Sequence, residues 1–380
     1  MTVPCHGPLR MSHPDTDVAC LTVRMGAIAE NYRVCRGLAG RASVAGVVKA
    51  DGYGLGADEV TRTLIASGCD TLFVARLDEG VKLRPVAPDT RIFVLDGAYP
   101  GAVPALMAHR LIPVLNSLHE IETWSAAARA SGTELEAALH FDTGMNRLGL
   151  PSYELATLVA EIAVRLRGIR LVLNMSHLAC ADDPASAMNR TQLDRFRAGL
   201  ARLPPAPASL SSTGGVVLGK DYAFDMVRLG IGLYGGNPRA TGANPFTTTA
   251  VLTGRILQLR RVDKGESVGY GASFRVGRQG TLATIALGYA DGLMRAIGNR
   301  GMGAIAGVRA GVAGRVSMDL ITLDVTDVPQ AALHVGAEVE FLGDTIGLDE
   351  LARAANTAPY EILTSLGRRV PRRYVGEVAR

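Results

Sequence analysis

The sequence predicts an α/β fold: an N-terminal (β/α)8, TIM-like barrel followed by a C-terminal β-rich domain. Three observations lead there. Short apolar runs alternate eight times with Ala-, Leu- and Arg-rich stretches of helical spacing. The alternation stops at a Gly-, Asn- and Pro-rich stretch between Pro238 and Pro245. A chain of 380 residues suits one large domain and one smaller one.

The apolar runs lie at 44–48, 71–75, 91–95, 111–115, 137–141, 169–175, 208–212 and 227–233, with helical segments between them such as 58–67 and 119–130. Eight strand–helix repeats within roughly 250 residues match a closed barrel of parallel strands. Residues 1–245 are assigned to the barrel and 246–380 to the second domain. That domain has strand-like runs at 251–259, 281–287, 304–313, 320–325 and 337–342, and one helix at 348–356 after Gly347.

Composition narrows the function. Apolar residues make up 48% and charged residues 20%, enough for a large core and too apolar for disorder. Forty Lys and Arg against 36 Asp and Glu leave a net charge of +4. The basic residues are scattered apart from Arg368-Arg369-Val370-Pro371-Arg372-Arg373, so nucleic acid is not an expected partner. The five cysteines, an odd number with no CxxC pair, suit a reducing, cytoplasmic setting. No metal-ligand spacing occurs, no apolar run reaches the ~18 residues of a membrane helix, and the first residues lack a signal-peptide core.

In a (β/α)8 barrel the C-terminal strand ends line the active site. Read along that rim, the first run ends in Lys49, the fifth carries His140, Asp142 and Arg147, and the sixth ends in Ser176-His177. The seventh ends in Ser211-Ser212-Thr213-Gly214-Gly215, and the eighth carries Arg228. A lysine at an apolar barrel mouth has its pKa lowered by burial, leaving a neutral amine able to form a Schiff base. Gly52-x-Gly54-x-Gly56 resembles a dinucleotide fingerprint only faintly, because its third glycine is one position early. In Gly214-x-x-x-x-Gly219-Lys220-Asp221, Asp221 stands where a Ser or Thr would hold Mg²⁺, which excludes an NTPase loop. The backbone around Ser212 to Gly215, beside Gly230, Ile231 and Gly232, suits one phosphate instead, since the loops after strands seven and eight commonly hold it. Amine, phosphate cradle and neighbouring arginine together imply pyridoxal 5′-phosphate.

The motifs resemble those of the alanine racemases, pyridoxal-phosphate enzymes of fold type III. Val48-Lys49-Ala50-Asp51-Gly52-Tyr53-Gly54-Leu55-Gly56 is similar to the family's cofactor-lysine signature. Further matches are Asp142 to Gly149, Ser176 to Asp182, Arg228 to Gly235, Val268-Gly269-Tyr270-Gly271, Gly288 to Gly292, Gly314 to Asp319 and Arg369 to Tyr374. The resemblance spans about residues 18–376 and implies a homodimer with shared active sites. It implies cofactor binding by Lys49, Tyr53, His177, Ser212, Arg228, Gly230, Ile231 and Tyr374, and substrate-carboxylate binding by Arg147 and Met318. Lys49 and Tyr270 would be the two catalytic bases on opposite faces of the substrate, with Tyr270 and Met318 supplied by the other subunit. Asp182, Tyr289, Arg295 and Arg315 match positions along the entrance.

Arg228 matches the arginine facing the pyridine nitrogen. Because it stays protonated and donates, the ring nitrogen tends to remain unprotonated, which limits side reactions. Three positions depart from the family: His140 replaces a common lysine, Ser211 a common Asn and Leu229 a common Pro. The expected reaction is interconversion of L- and D-alanine, a peptidoglycan precursor, with the biosynthetic, catabolic or specialised setting left open. Serine is an alternative substrate, and a decarboxylase of basic amino acids is an alternative enzyme with the same domain plan.

Overall fold

In the computed structural model, residues 16–239 and 242–376 are described; Cys5 lies outside them. The first strand, β1 (Ala19–Arg24), leads directly into helix α1 (Met25–Ala39). The barrel strands follow: β2 (Ser43–Val47), β3 (Thr71–Val74), β4 (Arg91–Val94), β5 (Ile112–Leu115), β6 (Leu135–His140), β7 (Ile169–Met175), β8 (Ala208–Ser209) and β9 (Met226–Leu229). All pairings among β2 to β8 are parallel, in sequence order, and β9 pairs with β2. A bridge between Ser212 and Arg228, with the Arg228 amide donating to the Ser211 carbonyl at 3.0 Å, closes the ring. Each strand matches one of the eight apolar runs. Strands covered on both faces need apolar side chains on both, which is why those runs are continuous. Phe73 and Phe93 stack at 4.8 Å between neighbouring strands.

The second domain is a β-structure built on the long strand β10 (Ala250–Val262). After β11 (Ser267–Val268) and β12 (Phe274–Arg275) come β13 (Gly280–Ile285), β14 (Met302–Ile305), β15 (Val308–Val312), β16 (Ile321–Asp324) and β17 (Glu338–Leu342). The sheet runs β13-β16-β15-β14-β17-β10, and β10 pairs back onto β13, so these six strands also close. The predicted run 304–313 is a hairpin of two strands, β14 and β15, turning at Ala306-Gly307.

β1 has no counterpart in the predicted strands, and it does not join the barrel. It pairs antiparallel with β10 and parallel with the last strand, β18 (Arg372–Val375). The first and last described strands therefore extend the second sheet, and α1 carries the chain from β1 to the barrel.

Candidate active site

Lys49 follows β2 and opens one turn of left-handed backbone. Ala50, Asp51, Gly52 and Tyr53 have φ of 53°, 57°, 61° and 54°. Left-handed residues ordinarily occur singly, at a cost of about 1–2 kcal/mol for each that is not glycine. Specific bonds hold this turn. Its Ala50 amide donates to Glu79 Oε1 at 2.6 Å, the Gly54 amide to the Ala50 carbonyl at 2.8 Å, and the Ala57 amide to Asp51 Oδ1 at 3.0 Å. The turn sets Lys49 at the barrel mouth and sends the Tyr53 ring back inward, where it stacks on Tyr234 at 4.4 Å. The glycines of 52–56 thus serve a backbone turn, not a dinucleotide.

A cavity of about 680 Å³ opens at this end of the barrel. It brings together eight predicted positions: Lys49, Tyr53, Arg147, His177, Ser212, Arg228, Gly230 and Ile231, with His140 and Asp182 beside them. Burial, followed by the positive charge of Arg147, lowers the Lys49 amine pKa; Glu79 and Asp96 oppose this, and Arg228 adds to it.

Arg228 is buried. Its Nη1 donates to the Ser209 carbonyl and hydroxyl at 2.9 and 2.5 Å, and its Nη2 to the Ser176 carbonyl at 2.7 Å and to His177 Nδ1 at 3.2 Å. No carboxylate pairs with it, and Nε alone among its nitrogens meets no acceptor among the described residues. Burial lowers its pKa to about 10, so it is charged at neutral pH. Burial, then the charge of Arg228, holds His177 well below the usual histidine range. Its neutral ring can therefore accept from Arg228 at Nδ1.

His140 is neutral for the same reasons, with its pKa lowered to about 4. Asn116 uses its amide nitrogen on the Leu95 and Val114 carbonyls, so its oxygen accepts from His140 Nδ1 at 2.8 Å. That fixes the tautomer with the Nε2 lone pair free. Arg147 rides on a loop pinned by Asp142, whose carboxylate accepts from the amides of Gly144, Met145 and Asn146 at 2.9–3.1 Å. Asp142 is thus a loop anchor and not a cavity-lining group.

At the far end the loops after β8 and β9 meet. Thr213 Oγ1 accepts from the Gly230 and Gly232 amides at 3.0 and 3.4 Å, clipping the two loops together. The Ile231 amide between them finds no acceptor among the described residues. Tyr53 Oη comes so close that a Cβ on Gly230 would lie 2.7 Å from it. Ser212 Oγ and Tyr53 Oη make no hydrogen bond among the described residues. Donors converging without partners, opposite a desolvated amine and beside the idle N–H of Arg228, are what a phosphorylated pyridine aldehyde would use. The residues fit pyridoxal phosphate.

Tyr374 is not part of this cavity. It pairs with Val23 as β18 runs alongside β1, where burial, then Asp51, pushes its phenol up to about 12. Tyr360 lines the cavity instead, its ring 6.0 Å from that of Tyr53. The sequence signal for it is Pro359 at the first position of a helix, Pro359–Ser365, one residue before the tyrosine. Tyr270 and Met318 do not line the cavity of their own chain either. Tyr270 sits in the loop between β11 and β12, flanked by Gly269 and Gly271 at φ 73° and 71°, and is 67% exposed. Met318 is 53% exposed. Arg295 and Arg315 face a smaller hollow of about 390 Å³ on the second domain.

Residues 23–238 match the model of the alanine racemase N-terminal domain, and residues 249–374 that of the alanine racemase C-terminal domain. The alanine racemase of Rhodospirillum rubrum is 49% identical over 368 residues, covering 96% of this chain and 98% of the relative. A catabolic alanine racemase of Agrobacterium fabrum is 46% identical, covering 93% of this chain and 92% of its own. Among solved structures, alanine racemase from Bartonella henselae with covalently bound pyridoxal phosphate superposes with a TM-score of 0.90 at 36% identity, over 94% of this chain and all of that one. The biosynthetic alanine racemase of Pseudomonas aeruginosa gives 0.89 at 34% identity, over 95% of this chain and all of that one. On two domain matches covering most of its length and on relatives near half identical, the chain belongs to the alanine racemase family.

Proposed function

We propose that this chain interconverts L- and D-alanine as a pyridoxal-phosphate-dependent, cytoplasmic homodimer. The observation that carries the reading is the convergence of Lys49, Arg228, Ser212, Ile231 and Tyr53 on one cavity. The cofactor, when bound, draws electrons from the substrate α-carbon and makes its proton acidic.

The protein's own groups do the rest. Lys49 would hold the cofactor between turnovers, and its desolvated amine, once free, would take or return the α-proton at Nζ. Racemisation needs a second base on the opposite face. We assign that role to Tyr270 Oη of a second copy, because Tyr270 is exposed and stands outside its own chain's cavity. Ser212 Oγ, Tyr53 Oη, the Ile231 amide and Tyr360 hold the phosphate, and Gly230 leaves the space. Arg228 Nε would be the donor for the pyridine nitrogen, while His177 keeps Arg228 oriented. Arg147, with Met318 of the second copy, receives the substrate carboxylate. His140 is a neutral acceptor beside Arg147.

Serine is a second candidate substrate. The decarboxylase alternative is set aside by the family assignment. Incubation with L-alanine in D₂O tests the reading: α-deuteration together with D-alanine formation is expected. Exchange without D-product would leave one working base, and neither would refute the assignment.

A further inference from the structure

The basic run near the C-terminus joins two places that the proposed reaction uses separately. On one side it grips the lysine turn. Arg372, 1% exposed, donates from Nη2 to the Gly54 carbonyl at 3.1 Å, and Arg368 Nη2 lies 3.6 Å from Asp51 Oδ2. The Leu363 carbonyl presses so close to Gly54 that a Cβ there would lie 2.5 Å from it.

On the other side it grips two loops of the second domain. Arg369 meets Asp291 with both prongs, Nε to Oδ1 at 2.5 Å and Nη2 to Oδ2 at 3.0 Å. Its Nη2 also lies 2.7 Å from Asp319 Oδ1. The Gly367 amide donates to the Asp291 carbonyl at 2.7 Å, and Asp291 Oδ2 accepts from the Gly288 amide at 2.8 Å. The two loops are zipped to each other as well. The amides of Tyr289 and Ala290 donate to the carbonyls of Ser317 and Met318 at 3.0 and 2.9 Å. Arg369 therefore ties the loop of Tyr289 and the loop of Met318 to the strap running back to Asp51 and Gly54.

We propose that Arg369 is a positioning residue that sets the Tyr289 and Met318 loops for the active site of the partner copy, and that residues 366–372 thereby couple each chain's own lysine turn to its partner's substrate pocket. The inference rests on the homodimer reading above. Asp291 is nearly buried while Arg369 is half exposed, so the bidentate bond has one firm anchor, which distinguishes it from an isolated surface pair. Arg369 is not among the residues lining the cavity, and its effect is on where Met318 stands.

The test uses Arg369→Gln and Arg369→Lys in the cofactor-loaded protein. Arg369→Gln should raise KM for L-alanine roughly five-fold or more, the scale of losing a forked ion pair within a network, with kcat changed less than about two-fold. Hydrogen–deuterium exchange should quicken in peptides covering 286–292 and 315–321, and Arg369→Lys should recover part of the KM. Mixed dimers show which site is affected. Pairing a Lys49→Ala chain with an Arg369→Gln chain leaves one live site served by an intact Arg369, so KM should be parental. Pairing parent with a chain carrying both substitutions should show the raised KM. The reverse pattern, or unchanged exchange in both peptides, overturns the proposal. Sedimentation of the parent protein reports on the dimer itself: a monomer would defeat the homodimer reading, whereas the exchange measurement still judges the Arg369 clamp.

Discussion

Gly230→Ala is the sharpest test of the phosphate end. The new methyl carbon would stand 2.7 Å from Tyr53 Oη and 3.6 Å from Tyr53 Cζ, with nothing else within 4 Å. Neither side can yield freely. The Gly230 amide is held by Thr213 Oγ1, and the Tyr53 ring is stacked on Tyr234, whose hydroxyl donates to the Val47 carbonyl at 2.9 Å. Overpacking of this kind costs about 1–3 kcal/mol. If the phenol is displaced from the phosphate site, that converts to cofactor binding weakened by roughly 5- to 150-fold. Tyr53→Phe removes the clashing oxygen and leaves only the 3.6 Å contact. The double variant should therefore regain the stability lost in Gly230→Ala. It should still bind the cofactor at least about ten-fold more weakly than the parent, because a charge-assisted hydrogen bond to the phosphate is missing. Chemical denaturation of the cofactor-free protein and titration with pyridoxal phosphate measure the two quantities. A double variant no more stable than Gly230→Ala would refute the clash, and parental cofactor affinity in Gly230→Ala would refute the placement of the phosphate.

Three further outcomes follow from the site. His140 titrates at about 4 when folded against an ordinary value of 6.5, so the unfolded chain binds more protons below pH 6.5. Its contribution to stability is complete above that pH and is lost as pH falls towards 4, amounting to ~2 kcal/mol by pH 5. Melting temperatures of His140→Gln should fall less steeply than the parent's between pH 7 and pH 5, and parallel curves would contradict the buried neutral ring. Arg228→Glu should raise the keto acid formed per racemisation event, counted as a ratio so that a reduced folded fraction cancels. It should also destabilise the protein, because the new carboxylate faces the Ser176 and Ser209 carbonyls. An unchanged ratio would remove Arg228 from control of the side reaction. Tyr270→Phe should abolish D-alanine formation by 10²-fold or more, the usual share of a general base, while one-sided α-deuteration survives; retained racemisation would disqualify the phenol.

The barrel was legible because its chemistry is local and repetitive. A parallel strand with both faces covered must be apolar throughout, so all eight runs stand out, and strand ends such as Lys49, His177 and Arg228 can be read straight off the rim. Segments whose role depends on distant partners were not legible. The six residues of β1 form a strand because of β10 and β18, more than 200 positions away, and nothing in Ala19–Arg24 announces that pairing. The choice between Tyr360 and Tyr374 has the same origin. Both are tyrosines near the C-terminus, but a helix packed beside Tyr53 faces the cavity, while a strand paired with β1 faces Asp51.

The amino-acid order by itself thus determined the repeat, the alternation of strand and helix, and the kinds of group that meet at the barrel mouth, since burial and periodicity act over a few residues. The tertiary structure alone decided which nitrogen of His140 carries the proton, that Arg228 keeps one N–H without an acceptor among the described residues, and that four successive residues after Lys49 wind left-handed. Each of these is an outcome of hydrogen bonds between elements far apart in the chain, and such bonds exist only once the elements have packed.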